Sequence, residues 1–455
     1  MLKSDLTRIE GLRYVIDDLD IRSSVGRRML FEREWSVSPS ELSNRFDHIE
    51  QSLPKVSDPR FESLRTKFLQ LKDILAVLRL LTEGGILNDT DFFLIKSFIL
   101  LYYDICCCCE QLEYGVIVSK NLDLPLALLD PDGHRVSTFR IYDSYSDKLR
   151  QLRNELKGCP EEDRDKIFEL ISECEEQIRF RLSAELRQYT EQISSALSDA
   201  AYLDIVMAQA EQAIRQGFTR PELAEGDTAT GYWGLFQPEV QSSLRVRGVD
   251  YQRINVESLG AEPTLLTGAN MGGKSVLLQS VALAQVMCQY GFYVAAERAV
   301  VALCDAVYTI SGDNADSKGG LSSFAAEMLS LNQVVERVSS GERPFVTIDE
   351  LARTTNPVEG AAIVGAVIKY FSEQGVRSVI ATHYGNVDST CQRLRIRGLV
   401  CTEGDVVTAA NLQRYFDYQP EPVTTTDVPH EALRIATILG VDEQIIENIK
   451  KILTK

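Results

Sequence analysis

The chain has 455 residues, 44% of them hydrophobic and 25% charged, a balance typical of globular proteins and not of disordered chains. Its net charge of −18 weighs against a nucleic-acid binder without excluding one, because such proteins usually carry a basic face or domain. We find neither a signal-peptide pattern nor a long uncharged apolar run, so we expect a cytoplasmic protein with no membrane partner.

Ten cysteines are present, and four of them are consecutive, Cys106 to Cys109, within an apolar stretch that predicts a helix. Consecutive residues on a helix point to different faces, so these four cannot jointly hold one tetrahedral zinc ion. We expect all the cysteines to be reduced and to behave as small hydrophobic residues.

The first part of the chain is predicted to be helical. Residues 1–110 show apolar residues at helical spacing, for example Leu64, Phe68, Leu71, Ile74 and Leu78. Turn residues interrupt this pattern over residues 122–142, and the end of that break, Thr138 to Tyr142, is predicted as a short strand.

A long helical hairpin is predicted next. One helix runs from Asp143 to about Leu156 and ends at Gly158-Cys159-Pro160, and a second runs from Pro160 to about Gln216. The predicted inner stripe contains Ile167, Leu170, Ile171 and Ile178. The hairpin also carries Glu169, Glu173, Glu175 and Glu176, which would repel a phosphate backbone. The hairpin is either a structural arm or, in the interpretation we favour, an arm that docks a protein.

The run from Gly268 to Ser275 fits the pattern G-x-x-x-x-G-K-S, with a predicted strand before it and a predicted helix after it. This context is typical of a phosphate-binding P-loop, in which backbone N–H groups and the helix dipole face phosphate oxygens. The predicted nucleotide-binding residues are Gly268, Ala269, Asn270, Met271, Gly272, Gly273, Lys274 and Ser275. Lys274 would contact the β/γ-phosphates, and Ser275 would bind Mg²⁺.

Two later strands end in residues that suit the same chemistry. An apolar strand beginning at Pro344 ends in Asp349 and Glu350, which fit a Mg²⁺ ligand and a carboxylate that polarises water. A strand beginning at Ser378 ends in Thr382-His383, and His383 would lie near the γ-phosphate.

Four runs together resemble the ATPase of the MutS family. They are TGANMGGKS from Thr267, LSSFAAEM from Leu321, IDELARTTNPVEG from Ile348 and ATH from Ala381. The resemblance implies an α/β P-loop ATPase domain of the ABC type, which binds ATP and Mg²⁺ and forms a homodimer. It also implies that Ser322 completes the nucleotide site of the other subunit and that Tyr251 stacks on adenine; for Tyr251 the alternative is a tyrosine packed at the sheet rim.

The same resemblance implies an all-α core and lever, with the long hairpin, in front of the ATPase. The predicted parts are a helical core (1–120), the lever (121–216), a linker (217–232), the ATPase domain (233–425) and a C-terminal helical dimerisation segment (426–455).

The sequence also departs from the family's pattern. We find no counterpart of its mismatch-reading domain, and the Phe-x-Glu motif occurs only as Phe371-Ser372-Glu373, on a predicted helix. After the Asp-Glu pair, Ala352 to Thr355 replace the usual Gly-Arg-Gly-Thr, and Leu321 stands where an Arg is common.

These departures leave two functional classes open. The first is an ATPase that remodels a protein partner, since the run from Asp349 to Pro357 resembles a shortened branch that accompanies the cobalamin-dependent lysine and ornithine aminomutases. The second is a DNA-binding ATPase of the mismatch-repair or recombination type, with weak DNA binding at most expected here.

Overall fold

The computed structural model describes residues 1–225, 228–268, 272–311, 323–384, 387, 390–401, 407–408, 411–423 and 431–453. The chain divides into two compact units. Unit 1 contains Met1–Leu19, Glu34–Phe46 and Gln212–Lys455, and unit 2 contains Asp20–Arg33 and Asp47–Glu211. Residues 1–19 and 34–46, which the sequence placed in one continuous helical core, thus belong to the compact unit that holds the P-loop.

The helices up to residue 216 confirm the predicted helical N-terminal region. They are α1 (Leu2–Asp5), α2 (Leu12–Asp17), α3 (Ser24–Phe31), α4 (Pro39–Ser52), α5 (Pro59–Lys67), α6 (Leu75–Thr82), α7 (Asp89–Gln111), α8 (Asp123–Leu129), α9 (Asp147–Gly158), α10 (Arg164–Arg187) and α11 (Thr190–Gln216).

The longest apolar helix of unit 2, α7, begins at a capping box, in which Asn88 and Asp91 each accept the other's backbone N–H. By length and composition α7 is apolar enough to cross a membrane, but 56% of its most apolar window is buried inside the structure. A helix buried in the core of a protein has the same length and apolar composition, so this test alone does not indicate a membrane span. Cys106 and Cys109 are buried whereas Cys107 is exposed, so the four consecutive cysteines do point to different faces.

Three local predictions in unit 2 are wrong. Thr138–Tyr142 is not a strand, and Phe139 instead packs against Phe92 of α7, with ring centroids 5.0 Å apart. The second hairpin helix is not continuous, because Tyr189 N–H bonds the Leu186 carbonyl and the Thr190 hydroxyl bonds the Arg187 carbonyl, which turns the chain between α10 and α11. Leu170, predicted in the inner stripe, is 40% exposed.

Unit 1 contains two sheets and the helices that cover them. The strands are β1 (Glu222–Leu223), β2 (Thr230–Leu235), β3 (Ile254–Leu259), β4 (Thr264–Thr267), β5 (Arg298–Val301), β6 (Val307–Ser311), β7 (Phe345–Asp349), β8 (Arg377–Ala381), β9 (Gln392–Leu399) and β10 (Phe416–Pro422). The helices are α12 (Pro238–Val246), α13 (Lys274–Gln289), α14 (Ser323–Ser339), α15 (Pro357–Glu373), α16 (Glu431–Ile438) and α17 (Glu443–Leu453). The predicted linker, residues 217–232, contains β1 and the start of β2.

The two sheets have the strand orders β1-β5-β2-β3 and β10-β9-β4-β8-β7-β6. In the second sheet the strands from β9 to β6 are parallel and β10 is antiparallel to β9. Its strands bury aliphatic residues such as Leu265, Ile348 and Ile380 against α14 and α15. Parallel strands covered by helices on their faces are typical of α/β domains.

Strand β6 lies at the edge of this sheet, and the N-terminal segment of unit 1 contacts it. The Arg8 guanidinium donates to the Val307 carbonyl at 3.4 Å, and the Thr309 hydroxyl donates to the Arg8 carbonyl at 3.1 Å. The same guanidinium lies 5.4 Å from the centroid of the Tyr308 ring. Part of the outer edge of β6 is therefore already bonded within the chain.

Candidate functional site

The sheet register brings the predicted site residues to one edge. Leu266 of β4 pairs with Ala381 of β8, and Ala381 also pairs with Asp349 of β7. Because the three strands are parallel, the residues that follow them meet at the same carboxyl edge, where open α/β sheets bind ligands. The P-loop, Glu350 and His383 all follow directly from these three strands.

The glycines of the P-loop have conformations and neighbours that suit glycine. Gly268 has φ +146° and Gly273 has φ +81°, and an added Cβ at Gly273 would lie only 2.9 Å from Cδ1 of Tyr418. Gly273 is also the N-cap of α13, and its cap makes no side-chain hydrogen bond. The N-terminus of α13 thus presents backbone N–H groups and the positive end of the helix dipole, an arrangement that suits an anion.

Lys274 extends from the first residue of α13 into this edge. Its side chain is 5% exposed, and its Nζ donates to the Gly268 carbonyl at 2.9 Å and lies 3.7 Å from Oε1 of Glu350. The predicted phosphate-binding cation and the predicted water-polarising carboxylate therefore meet, although 76 positions separate Lys274 from Glu350 in the sequence.

The chain leaves β7 in an unusual conformation. Glu350 has φ +54° and Ala352 has φ +60°, left-handed values that are rare for residues other than glycine. The Glu350 carboxylate is 17% exposed and lies 3.3 Å from Nη1 of Arg353. Strained backbone of this kind often occurs at functional sites.

The other predicted site residues lie in different environments. Asp349 ends β7 and is partly buried, Ser275 is exposed in the first turn of α13, and the ring of exposed His383 lies 4.3 Å from that of Tyr384. Ala269, Asn270, Met271 and Ser322 lie outside the described residues.

Tyr251 is held by its hydroxyl, which accepts the Gln237 backbone N–H at 3.2 Å, and burial raises its pKa. Its contact with adenine stays a prediction.

Sequence reasoning missed Tyr418 of β10, whose ring lies directly beside Gly273. No local pattern marks an aromatic residue so far along the chain as part of the P-loop. The sequence also contains a basic alternation, Arg393-Leu394-Arg395-Ile396-Arg397, which lies in β9. There Arg397 pairs with Asp417 at 3.0 Å and Arg395 with Glu421 at 3.5 Å. Acidic partners on β10 thus neutralise these two arginines.

Residues 264 onward, which include the candidate site, resemble known proteins. Residues 264–455 match the family model for MutS domain V, so the match begins at the first residue of β4. In this region the chain is similar to MutS-family proteins.

Among the curated relatives, the chain is 28% identical over 327 residues to the DNA mismatch repair protein MutS of one Thermus thermophilus strain, which covers 70% of this chain and 37% of that protein. It is 33% identical over 202 residues to the Endonuclease MutS2 of a second Thermus thermophilus strain, covering 44% of this chain and 26% of that protein. The matches span between 25% and 37% of the length of such MutS relatives.

Proposed function

We propose that this cytoplasmic protein binds ATP–Mg²⁺ at the carboxyl edge of the β10-β9-β4-β8-β7-β6 sheet and hydrolyses the ATP in a homodimer. The observation that carries the proposal is the meeting of Lys274 and Glu350, with Nζ and Oε1 3.7 Å apart, beside the N-terminus of α13. Phosphoryl transfer needs stabilisation of the phosphate charge and orientation of the attacking water. The ammonium group and the helix N-terminus can supply the first, and the carboxylate can supply the second.

Each residue has a role in this proposal. Lys274 contacts the β- and γ-phosphates, which compete with Glu350 for its ammonium group. Ser275 and Asp349 would hold Mg²⁺ through oxygen ligands of the kind that it prefers, and a bound ion would supply neutralisation of phosphate charge. Glu350 then polarises the attacking water, and His383 lies near the γ-phosphate.

Two substitutions test this assignment. Lys274→Ala should abolish ATP binding, whereas Glu350→Gln should bind ATP but lower kcat by at least about a hundredfold, the usual contribution of a positioned base. Binding is measured with a fluorescent ATP analogue and turnover by phosphate release.

Matched controls lie on α15. Lys369→Ala and Glu373→Gln change an exposed ion pair, with side chains 78% and 59% exposed, and should leave both quantities unchanged. Normal turnover in both Lys274→Ala and Glu350→Gln would refute the site.

For the partner of this ATPase we propose a protein, with a cobalamin-dependent aminomutase as the candidate that the sequence resemblance suggests. Exposed apolar and acidic side chains on α10 support a protein-docking surface; they include Phe168, Phe180, Glu169, Glu173 and Glu176. Phe168 and Phe180 are 54% and 62% exposed, and exposed aromatic residues are frequent in protein interfaces.

DNA binding is the second candidate, and the names of the MutS relatives favour it. The net charge of −18 and the ion-paired arginines of β9 weigh against it. A clamp that neutralised about six phosphates would lose roughly a thousandfold in affinity between low and moderate salt.

Titration of matched and mismatched duplexes at several salt concentrations, with and without ATP, separates the two candidates. We expect weak binding without preference for the mismatch. Nanomolar, mismatch-selective binding at physiological salt, with a steep salt dependence, would instead establish the DNA-binding function.

A further inference from the structure

The strained segment after β7 is held by two side chains from elsewhere in unit 1. Oε2 of Glu327, on α14, accepts the Ala352 backbone N–H at 2.8 Å. The Tyr384 hydroxyl, beyond the end of β8, donates to the Ala352 carbonyl at 2.7 Å. Both backbone polar groups of Ala352 are therefore bonded to side chains, and the carbonyl also accepts the Thr355 backbone N–H at 3.1 Å.

These contacts are fully inside the protein. Ala352 is 0% exposed, Glu327 is 3% exposed and Tyr384 is 6% exposed. Gly360 on α15 makes room for the tyrosine, because a Cβ at this position would lie 2.2 Å from the Tyr384 hydroxyl. A carboxylate is rarely buried unless hydrogen bonds within the protein compensate for its lost hydration. The burial of Glu327 beside the left-handed residue Ala352 therefore needs an explanation.

The position of the contacts links three parts of the candidate site. Ala352 is two residues beyond Glu350 and shares its left-handed backbone. Tyr384 follows His383, and Glu327 lies on the helix that begins directly after Ser322 in the sequence. A shift in either α14 or the end of β8 would therefore move Ala352, two residues beyond Glu350.

We propose that Glu327 and Tyr384 are positioning residues for ATP hydrolysis, which hold Ala352 in its left-handed conformation and thereby hold the Glu350 carboxylate. This inference rests on the proposed function. Glu327 needs only to be an acceptor in this role, so its charge is dispensable. Consistent with that, burial raises the pKa of Glu327 although the Ala352 N–H bond opposes the shift.

The test separates positioning from general stability. Glu327→Gln keeps an acceptor for the Ala352 N–H, and Glu327→Leu removes it at similar volume. Tyr384→Phe removes only the side-chain donor to the Ala352 carbonyl and leaves the bond from the Thr355 N–H. We measure kcat and KM for ATP, the Kd of a fluorescent ATP analogue, and thermal unfolding for each variant.

We expect Glu327→Leu and Tyr384→Phe to lower kcat at least about tenfold while KM and Kd stay within about twofold, since small misplacements of a catalytic group cost rate and not ground-state binding. Glu327→Gln should stay within about threefold of the wild-type kcat. The double variant should lose less than the product of the single losses, because both side chains act on one residue.

Controls use the same residue types away from Ala352. Glu336→Leu lies on the same helix and removes an acceptor of the Asn332 side-chain amide, and Tyr370→Phe removes a hydroxyl that lies 3.1 Å from the Ser339 hydroxyl. Neither should change kcat. If Glu327→Leu does not fold, Tyr384→Phe still decides the question, because it retains the buried ring.

Three results would overturn the inference. The first is a folded Tyr384→Phe variant with wild-type kcat, and the second is a Glu327→Gln variant as slow as Glu327→Leu. The third is a wild-type protein that binds no ATP and releases no phosphate; only this result also removes the proposed function, and it is seen before any variant is compared.

Discussion

At the scale of single residues, Gly273 is a position of the candidate site that disfavours any side chain. Its φ of +81° and the Tyr418 ring, 2.9 Å from where a Cβ would lie, both disfavour a larger residue. We predict that Gly273→Ala destabilises the protein by about 1–3 kcal/mol and weakens binding of a fluorescent ATP analogue at least about tenfold. Urea unfolding and an analogue titration measure the two effects.

The control for this prediction is Gly375→Ala, just after α15. Gly375 has a similar φ of +65°, but no described atom lies within 4 Å of its added Cβ. It should lose only about 1 kcal/mol for the left-handed conformation and bind the analogue normally. Equal effects at the two glycines would show that the contact with Tyr418 does not matter.

At the scale of elements, a buried ion pair fastens α7 to the end of α8. Nζ of Lys96 lies 2.9 Å from Oδ1 of Asp130 and also donates to the Tyr142 hydroxyl at 3.0 Å, and both charged side chains are almost fully buried. We predict that Lys96→Met lowers the free energy of unfolding by about 3–5 kcal/mol, because Asp130 is left as an uncompensated buried charge. Lys157→Met, at an exposed position of α9, should change it by less than about 0.5 kcal/mol.

The pH dependence of this pair has a definite sign. Burial raises the pKa of Asp130, but the bonds from Lys96 and the Arg135 backbone N–H outweigh it and hold the pKa below its ordinary value. The stabilisation is therefore present above the unfolded pKa and is lost as pH falls through the folded pKa. In the Lys96→Met variant, acid protonates the Asp130 carboxylate that has lost its partner. The difference in free energy of unfolding between the variant and the wild type should therefore become smaller below about pH 4. A difference in free energy of unfolding that becomes larger in acid would contradict this account.

Predictions of helices and strands from the sequence succeed where a contiguous run of residues determines the element. The strand before the P-loop, the helix after it and the strand that ends at Asp349 are each encoded by a contiguous apolar pattern. The contact between Lys274 and Glu350 depends on β8 lying between β4 and β7, which no local pattern specifies. Tyr418 and Glu327 escaped prediction for the same reason. The strand predicted at Thr138–Tyr142 failed because tertiary packing of Phe139 overrides the propensity of the segment.

At the scale of the whole molecule, the proposed dimer makes a prediction about mixed subunits. If Ser322 completes the partner's site, mixing Lys274→Ala with Ser322→Ala subunits creates a dimer in which one site collects both defects and the other is intact. Phosphate release should then rise above that of either variant alone. A mixture of Lys274→Ala with the Lys274→Ala/Ser322→Ala double variant has no intact P-loop and should stay inactive. ATPase activity from a species that light scattering shows to be monomeric would contradict the shared site.

The contacts of Arg8 with β6 also bear on solubility. An edge strand with unpaired backbone groups is a template on which another chain can add a strand, and repeated addition builds aggregates. Here the Arg8 side chain and carbonyl engage Val307 and Thr309, and a guanidinium charge lies over the same edge. We therefore expect Arg8→Ala to raise the tendency of the folded protein to aggregate through β6, as light scattering would measure.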